Sequence, residues 1–338
     1  MDIPRVKRKF PIFAVLLVFA TVTFLFSWLG LFPRQLVESV YARSAFPAIS
    51  HVAVVIADVL PFSWLDVWIS GWIVFLIYVI ARRRWRFLIG AVSLFYLWFF
   101  WGWGLNYHRL PLANRMHLDT TGIQKEDFDR LAGVAVQEIN RLWPLASRDP
   151  MDRDAIASMA AKRVDRVILG IDGIDWPLPV RVKRSLLAEP WYLGAGIDGM
   201  FNPYGHEALV IKGPLPFELP FLMSHEIAHV HGIANEGEAN LVALLATLAS
   251  DDPLFQYSGW LELRGYLPPA SGLDPGPSAD LAAISKRILS HRIRLMSNVQ
   301  TAVLDAHLKA NAVPGGIESY SDFVALAIAS QKRWKDFR

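Results

Sequence analysis

The sequence predicts a mainly α-helical protein with a small β element, in which transmembrane helices at the N-terminus precede one water-soluble domain. Of the 338 residues, 53% are hydrophobic and only 19% are charged, which is more apolar than an ordinary soluble protein. The long uncharged stretches lie before residue 106, whereas the later sequence repeats apolar residues at helical spacing between prolines. These two observations divide the chain into a membrane part and a soluble part.

Three segments are predicted to span the membrane, over residues 10–32, 64–81 and 87–105. Each is close to the roughly 20 apolar residues that a helix needs to cross a hydrocarbon core about 30 Å thick. A fourth apolar piece, residues 45–60, contains Asp58 and is too short and too polar for a span. We expect this fourth piece to lie at the membrane interface.

Basic residues set the expected orientation of these spans. They cluster before the first span and between the second and the third, and the positive-inside rule places both clusters in the cytoplasm. The clusters are Arg5, Lys7, Arg8 and Lys9, then Arg82, Arg83, Arg84 and Arg86. Residues 1–105 then form a multi-pass membrane domain with a cytoplasmic N-terminus, and residues 106–338 form an extracytoplasmic domain.

Apolar periodicity and proline breaks predict the elements of the soluble domain. Thr120 or Thr121 is the expected N-cap of the first helix, and glycines predict a loop over residues 190–206. The helices are expected over residues 125–143, 152–169, 279–311 and 319–333, and the strands over 180–187 and 208–211.

The stretch around residue 225 indicates metal chemistry. His225-Glu226-x-x-His229 is the HExxH pattern, and residues four apart share a face of an α-helix, so both imidazoles can bind one ion. Glu226, beside the first histidine, can take a proton from a water on that ion and so act as general base. The chain has no Cys, which excludes cysteine-ligated metals, disulfides and thiol catalysis. Zn²⁺ held by histidine and carboxylate is the expected cofactor.

A catalytic zinc site needs a third protein ligand and one open position. Gly232 is predicted to end the helix of the two histidines, and a second helix is predicted to begin near Glu236. Glu236 is the preferred third ligand and Glu238 is the alternative. Asn240 follows Glu236 by one helical turn and is expected to support a ligand by hydrogen bonding. The expected site is two helices joined by a glycine turn.

Four further residues are candidates for stabilising an oxyanion or contacting substrate, namely His231, Tyr204, His206 and Tyr320. His231 follows the second histidine by two residues and points to another helical face, so a structural role is preferred for it. Tyr204 and His206 precede the predicted strand 208–211. In many zinc peptidases an edge strand beside the metal helix pairs with the substrate backbone. For each of the four, a loop or packing role is preferred over a role in catalysis.

Several sequence blocks follow one another in a specific order. They are Trp101-Gly-Trp-Gly-Leu-Asn106, Met200-Phe-Asn-Pro203, the HExxH stretch with Gly232-Ile-Ala, Glu236-x-Glu-Ala-Asn240, Tyr257-Ser258-Gly259 and Gly316-Ile-x-Ser319-Tyr320. Over nearly the whole chain, this order resembles a bacterial family of membrane proteins known only as a domain of unknown function. The resemblance implies a zinc-metallopeptidase-like domain behind N-terminal spans, in the inner membrane of a bacterium.

The Glu-x-x-Ala-Asn element at residues 236–240 is also similar to the Glu-x-x-Ala-Asp/Asn of gluzincin-type peptidases, including the membrane proteases that process prenylated proteins. This similarity covers only the metal site. It implies that His225, His229 and Glu236 bind zinc, that Glu226 is the base and that Asn240 supports a ligand. In those peptidases the glutamate usually lies much further from the second histidine than it does in this chain.

We therefore expect a membrane-anchored zinc metallopeptidase with a zincin-like domain, which hydrolyses peptide bonds with a zinc-activated water and Glu226 as general base. Its expected partners are a protein or peptide substrate and the lipid bilayer. The net charge is only +3 and the basic residues are dispersed or flank the spans, so no nucleic-acid surface is expected. The alternative is a non-catalytic envelope scaffold or sensor that uses a zincin-like fold for binding.

Overall fold

The computed structural model describes residues 11–147, 152–311, 313 and 322–337, and within them the fold is mainly helical. Helix accounts for 70% and strand for 3%, so the predicted helical fold with a small β element is confirmed. The α-helices are α1 (Ile12–Trp28), α2 (Arg34–Leu36), α3 (Phe46–Ala57), α4 (Trp64–Arg82), α5 (Trp85–Gly102), α6 (Leu112–Arg115), α7 (Lys125–Leu142), α8 (Arg153–Asp172), α9 (Glu189–Ala195), α10 (Leu219–Val230), α11 (Glu236–Leu248), α12 (Pro253–Tyr266), α13 (Pro275–His291), α14 (Arg294–Ala310) and α15 (Asp322–Ser330). The strands are β1 (Val182–Lys183), β2 (Gly199–Asn202) and β3 (Glu207–Val210).

Three helices of the described residues are long and apolar enough to cross a membrane. Two are α4 and α5, which match the predicted spans 64–81 and 87–105 to within a few residues. The third is a continuous helix of 24 residues, in which π-helical Val37–Ala45 joins α2 to α3; we call it α2–α3. The predicted span 10–32 forms α1, an apolar helix of 17 residues that packs along α5.

The helix α2–α3 is attached to the soluble domain along its length. Near its start, Glu38 accepts hydrogen bonds from Arg109, and at its end the last carbonyl accepts one from the Lys183 ammonium. Between them, the Ser50 hydroxyl donates to the Val230 carbonyl oxygen over 3.1 Å. Because both ends meet the same domain, α2–α3 lies along the domain rather than extending away from it. Residues 45–60, predicted to be too short for a span, thus belong to a helix that is long enough to cross a membrane, and the interfacial position of its second half stays a prediction.

The other three apolar helices meet the domain by one end only. The C-terminal end of α1 contacts the domain side through Ser27, whose hydroxyl lies 3.0 Å from His108 Nε2. The N-terminal end of α4 is held by Asp66, which accepts a hydrogen bond from the Ser185 hydroxyl over 2.5 Å. The helix α5 is followed directly by Trp103, whose indole donates to the His229 carbonyl of the domain. The start of α1 and the basic α4–α5 turn therefore lie at the end remote from the domain.

The core of the soluble domain is built around α11. This helix is buried on all sides from Leu241 to Leu248, packed by α8, α10, α12 and α15. Apolar residues on every face are typical of a helix with no solvent side. The apolar run after Glu238, too short for a membrane span, is therefore the central helix of the domain.

The sheet has the strand order β1-β3-β2, with β1 parallel and β2 antiparallel to β3. The predicted loop over 190–206 is wrong in part, because it contains α9 and β2. Strand β2 forms by pairing with β3, from Gly199 opposite Val210 to Asn202 opposite Glu207. The predicted strand 180–187 is reduced to the two residues of β1.

The predicted helices of the soluble domain need two corrections. The expected helix 279–311 is two helices, α13 and α14, because the chain breaks at Ile293, whose N–H donates to the Gly194 carbonyl over 2.7 Å. The helix expected over 125–143 is α7, but its N-cap is Gln124 in a capping box with Asp127, not a threonine. The helix expected over 152–169 is α8, and the last one begins among the described residues as α15.

Candidate metal centre

Three side chains converge where α10 meets α11. His225 and His229 lie one turn apart on α10, and Glu236 is the first residue of α11. The two Nε2 atoms are 3.1 Å apart, and Glu236 Oε2 lies 3.2 Å from the first and 3.3 Å from the second. Their ligand atoms all lie within 4.8 Å of one another, so these three of the described residues could together hold one metal ion.

The spacing of these three atoms fits a tetrahedral zinc ion. Zinc binds histidine nitrogen and carboxylate oxygen at about 2.0–2.2 Å, and ligands of a tetrahedron at that distance are about 3.3–3.6 Å apart. The observed distances of 3.1–3.3 Å are close to this edge length. Two imidazoles and one carboxylate also match the donor set of catalytic zinc sites, which leave a fourth position open. The residues present therefore fit the expected metal.

The glycine turn between the helices orients the second histidine. Gly232 has φ +77°, in the left-handed region, and the turn brings the Ile233 carbonyl oxygen to 2.6 Å from His229 Nδ1. A carbonyl oxygen only accepts, so Nδ1 carries a proton and donates it. The other nitrogen, Nε2, is then the one that faces the ligand cluster and can bind a metal.

The carboxylates of α11 differ in position. Asn235 caps this helix, its Oδ1 accepting from the Glu238 N–H over 3.0 Å. Glu236 points to the histidines, whereas Glu238 accepts the Leu112 N–H over 2.7 Å and lies near Arg115. The structure thus brings Glu236 into the cluster and leaves Glu238 outside it.

The cluster attracts positive charge. Burial opposes the charge on Glu236, but the two imidazoles outweigh burial and hold the pKa of Glu236 below its ordinary value. Burial also lowers the pKa of His229, but the Glu236 carboxylate more than offsets this and raises that pKa to about 9. A cation between the three groups is therefore favoured, and a divalent metal would displace the proton from His229 Nε2.

Glu226 lies beside the ligands on α10 and is buried. Burial raises the pKa of its carboxyl to about 7, although His225 and His229 act in the opposite direction. A carboxyl group with a pKa near neutral is suited to exchanging protons at physiological pH. Gly199, at the start of β2, approaches the carboxyl so closely that a Cβ atom there would lie 2.9 Å from Glu226 Cδ.

A cavity of about 720 Å³ opens onto the cluster. Its floor is α10 and α11, one wall is the edge strand β2, and another is the C-terminal end of α5. Helix α14 and Phe24 of α1 lie on the remaining side. Its lining residues include Tyr96, Phe99, Trp103, Tyr107, Gly199, Phe201, Tyr204, Gln300, Val303, Leu304 and His307, with the ligands and Glu226.

Of the next three residues predicted for the site, one lines the cavity and two are buried outside it. Tyr204 lines the cavity, stacked on Phe95. His206 is buried against Phe46 outside the cavity, and burial lowers its pKa to about 4. His231 is buried 2.9 Å from an Asp165 oxygen, in agreement with the structural role preferred for it.

Asn240 and Tyr320 remain from the predicted set. Asn240 is buried on α11, and its amide nitrogen has no hydrogen-bond partner among the described residues. Its predicted role in holding a ligand therefore stays a prediction. Tyr320 lies outside the described residues.

Sequence reasoning missed three aromatic residues at the site. The Trp103 indole donates to the His229 carbonyl oxygen over 2.9 Å, and the Tyr107 hydroxyl lies 3.3 Å from His307 Nε2 at the cavity wall. Burial, aided by the charge of Glu236, raises the pKa of Tyr107, so this hydroxyl keeps its proton. Burial lowers the pKa of His307, which is therefore neutral near pH 7. The only signal in the sequence was the Trp-Gly-Trp-Gly-Leu-Asn block just before Tyr107.

Comparison with curated proteins and with solved structures found no match. A family model described as Protein of unknown function (DUF3810) matches residues 41–328, well over half of the chain. The match extends from the π-helical segment before α3 to α15 and includes the whole metal cluster. It agrees with the resemblance to a membrane-protein family of unknown function. The chain therefore belongs to the family Protein of unknown function (DUF3810).

Proposed function

We propose that this protein is a membrane-anchored, zinc-dependent peptidase that hydrolyses peptide bonds in the cavity above α10. The observation that carries the proposal is the cluster of His225, His229 and Glu236, whose ligand atoms are spaced like three corners of a zinc tetrahedron. A carboxyl group of suitable pKa, Glu226, lies next to this cluster and faces the same cavity.

His225, His229 and Glu236 would hold the zinc ion, which supplies a Lewis acid that polarises the peptide carbonyl and lowers the pKa of water. Glu226 takes the proton of the attacking water and returns it to the leaving amine. Tyr107 keeps its hydroxyl proton and lies at the cavity wall, where it can donate to the carbonyl oxygen as negative charge develops. His307, 3.3 Å from that hydroxyl, orients it.

The edge strand β2 is the proposed binding site for the substrate backbone. One edge of β2 pairs with β3, and its other edge pairs with no strand of the part of the chain that the structure describes. Residues of β2 line the cavity next to Glu226. An extended peptide can add to such an edge, which would fix its direction across the ligand cluster.

We propose that α1, α4 and α5 cross the bilayer and that α2–α3 lies at its surface. The contacts of α2–α3 at both ends with the domain support this, as do the single-ended contacts of the other three helices. The basic α4–α5 turn, remote from the domain, would then be cytoplasmic and the domain extracytoplasmic. A reporter fused to Arg338 should be active in the periplasm, and activity confined to the cytoplasm would reverse this orientation.

Metal content tests the site. Purified wild type should carry one zinc per chain, and Glu236→Ala should lose it because two histidines alone bind zinc weakly. Glu238→Ala is the matched control, because that carboxylate is two residues away and outside the cluster. Zinc absent from the wild type after reconstitution, or retained in Glu236→Ala, would contradict the proposed centre.

Replacing the base tests the reaction. Glu226→Gln should keep zinc and lose peptide hydrolysis, because an amide cannot accept the proton of water at neutral pH. Hydrolysis is measured on a random-sequence fluorogenic peptide mixture, with the exposed Glu126→Gln as control. Zinc binding without hydrolysis in the wild type itself would favour the alternative of a non-catalytic scaffold or sensor.

A further inference from the structure

One exposed face of α14 is apolar although it belongs to the soluble domain. Leu295, Val299 and Val303 recur at four-residue spacing along this face and are 72%, 42% and 58% exposed. Ala302 and Ala306 are exposed beside them, and Leu289 and Ile293 extend the apolar surface to the end of α13. We call this surface the apolar stripe. A contiguous apolar surface of this kind marks a contact with another apolar phase.

A neighbouring face of α14, about 100° around the helix from the stripe, is fixed to the protein. Met296 packs against Gly194, Gln300 accepts a hydrogen bond from the Trp191 indole, and His307 contacts Tyr107. The helix is therefore held at both ends, over α9 and over the end of α5. The apolar stripe consequently points away from the domain in a defined orientation.

The stripe is continuous with the apolar membrane helices. Helix α14 contacts α1, and Phe24 of α1 lines the cavity together with Val303 and Leu304 of α14. Arg294 is exposed at the start of α14, where a basic side chain can reach lipid phosphates, whereas the Arg292 guanidinium beside it donates to the Ser297 hydroxyl. An amphipathic helix with an exposed apolar face next to a membrane span is typical of a helix lying in the interface.

The cavity opens at the same place. Among its described lining residues three are exposed, namely Phe24 on α1, Val303 on α14 and Gly196 beside α9. The first two are apolar side chains from the two helices that border the opening. A peptide that enters there passes between a membrane helix and the apolar stripe.

We propose that the apolar stripe is inserted into the bilayer surface, and that the cavity takes peptide segments that emerge from the membrane rather than peptides from solution. The second part of this proposal, which we call the substrate half, concerns the peptides that enter the cavity and rests on the proposed peptidase function. The membrane contact of the apolar stripe does not depend on that function. The bilayer is the occupant of the stripe because the stripe continues the surface of α1 and carries the exposed, basic Arg294 at one end.

The membrane contact is tested without any activity measurement. The chain has no Cys, so a single cysteine at Leu295→Cys or Val299→Cys can carry a spin label with no other thiol to remove. Collision of the label with oxygen, which dissolves in lipid, is compared with collision with a water-soluble nickel chelate in proteoliposomes. Ile77→Cys on α4 and Val134→Cys on α7 are references, because both are exposed, one on an apolar helix and one in the domain.

Labels at Leu295 and Val299 should collide with oxygen more often than with the nickel chelate, in the same ratio as a label at Ile77. A ratio like that of Val134 would overturn the proposal, because the stripe would lie in water. Low collision with both reagents would also overturn it, because the stripe would then be covered by protein, such as a second copy. A water-like ratio at Ile77 itself would instead contradict the membrane topology proposed above.

The substrate half is tested with random-sequence peptides, offered to the same proteoliposomes either free or carrying a palmitoyl chain. The wild type should cleave the palmitoylated peptides faster, and Leu295→Glu with Val299→Glu should lose that preference while keeping zinc. A palmitoyl chain also concentrates the peptide on the vesicle surface. A soluble zinc endopeptidase added to the same vesicles is the control, because it shows how that concentration alone changes the cleavage rate. Equal or slower cleavage of palmitoylated peptides by the wild type would overturn this half, and no cleavage of either form would contradict the peptidase itself.

Discussion

At the scale of single residues, Gly199 packs so closely against Glu226 that position 199 has no room for a side chain. A Cβ at Gly199 would lie 2.9 Å from the Glu226 carboxyl carbon and 2.9 Å from Leu222 Cδ1, and real Cβ atoms do not approach so closely. The carboxyl group therefore depends on the absence of a side chain on the facing strand. A glycine in a strand often marks such a close approach.

Gly199→Ala should displace the Glu226 carboxyl group and lower kcat for peptide hydrolysis, by roughly 100-fold for a displacement near 1 Å. Zinc content should stay at the wild-type value, because the three ligands are not touched. Gly133→Ala, on α7 with open space around it, is the control and should leave the rate unchanged. Unchanged hydrolysis by Gly199→Ala would contradict the expectation that a methyl group at position 199 displaces the Glu226 carboxyl group.

The residues of the metal cluster were predictable to different degrees. His225 and His229 follow from helical periodicity, because residues four apart share a face in any α-helix. Glu236 and Glu238 are two apart, about 200° around the helix, so only one of them can face the histidines. Which one does depends on where the helix begins, and Asn235 as N-cap decides it. Sequence spacing alone did not contain that information.

Tyr107 and His307 could not be predicted as a pair, because 200 residues separate them in sequence. Neither occurs in a spacing that indicates chemistry. Their proximity results from the packing of α14 against the end of α5. Contacts of this kind require the tertiary fold, and the sequence gives no local signal for them.

At the scale of elements, the turn between α10 and α11 depends on Gly232 for two separate reasons. Its φ of +77° is unfavourable for other residues, and a Cβ there would lie 2.6 Å from Phe46 Cε1 and 2.9 Å from Asn106 Oδ1. The turn carries the Ile233 carbonyl that orients His229. A strained turn would therefore disturb the ligand as well as the packing of α3.

Gly232→Ala should weaken zinc binding about 10- to 100-fold, the usual effect of losing a hydrogen bond that orients a ligand. It should also lower the melting temperature. Gly122→Ala is the matched control, because Gly122 has the same φ of +77° and nothing within 4 Å of its Cβ position. That control isolates the backbone strain of about 1–2 kcal/mol. Zinc affinity is measured by competition with a chelator, and equal affinities in the two variants would contradict the role of the turn.

Helix prediction succeeded where local pattern decides and failed where distant contacts decide. The apolar periodicity continues through residues 279–311, and no proline or glycine marks the break at Ile293. The break follows from a hydrogen bond to Gly194, about 100 residues earlier in the chain. Strand β2 is likewise set by its partner β3, because four residues with glycine at one end carry no strand signal of their own.

At the scale of the whole molecule, a buried network of charges joins α2–α3 to the domain. Arg109 donates to Glu38 and to Asp172, and Arg115 donates to Asp172 over 2.6 Å. All four side chains are buried. Burial opposes the charge on Asp172, but Arg115 and Arg109 outweigh burial and hold the pKa of Asp172 below its ordinary value of 3.8.

Asp172→Asn should lower stability at pH 7 by about 3–5 kcal/mol, because the buried Arg115 loses its carboxylate and the buried Arg109 keeps only Glu38. The melting temperature in detergent should fall on the order of 10 °C. Asp129→Asn, which removes an exposed ion pair on α7, is the control and should change stability by less than about 1 kcal/mol.

The sign of the pH dependence follows from the lowered pKa of Asp172. A carboxyl group whose pKa is lower in the folded state contributes stability above its unfolded pKa, and this contribution is lost as the pH falls through the folded value. The difference in melting temperature between wild type and Asp172→Asn should therefore be constant above about pH 5 and shrink below pH 4. A difference that stays the same down to pH 3 would contradict the ionised state assigned to Asp172.

The position of α3 has a consequence for biogenesis. Val54 lies in the same hydrophobic core as Phe323 and Phe337, which are among the last residues of the chain. The core of the domain therefore cannot close until residues 323–337 have left the ribosome, by which time the apolar helices have long been translated. A fragment starting at Asn106 lacks part of its own interior, so we expect it to aggregate when expressed alone.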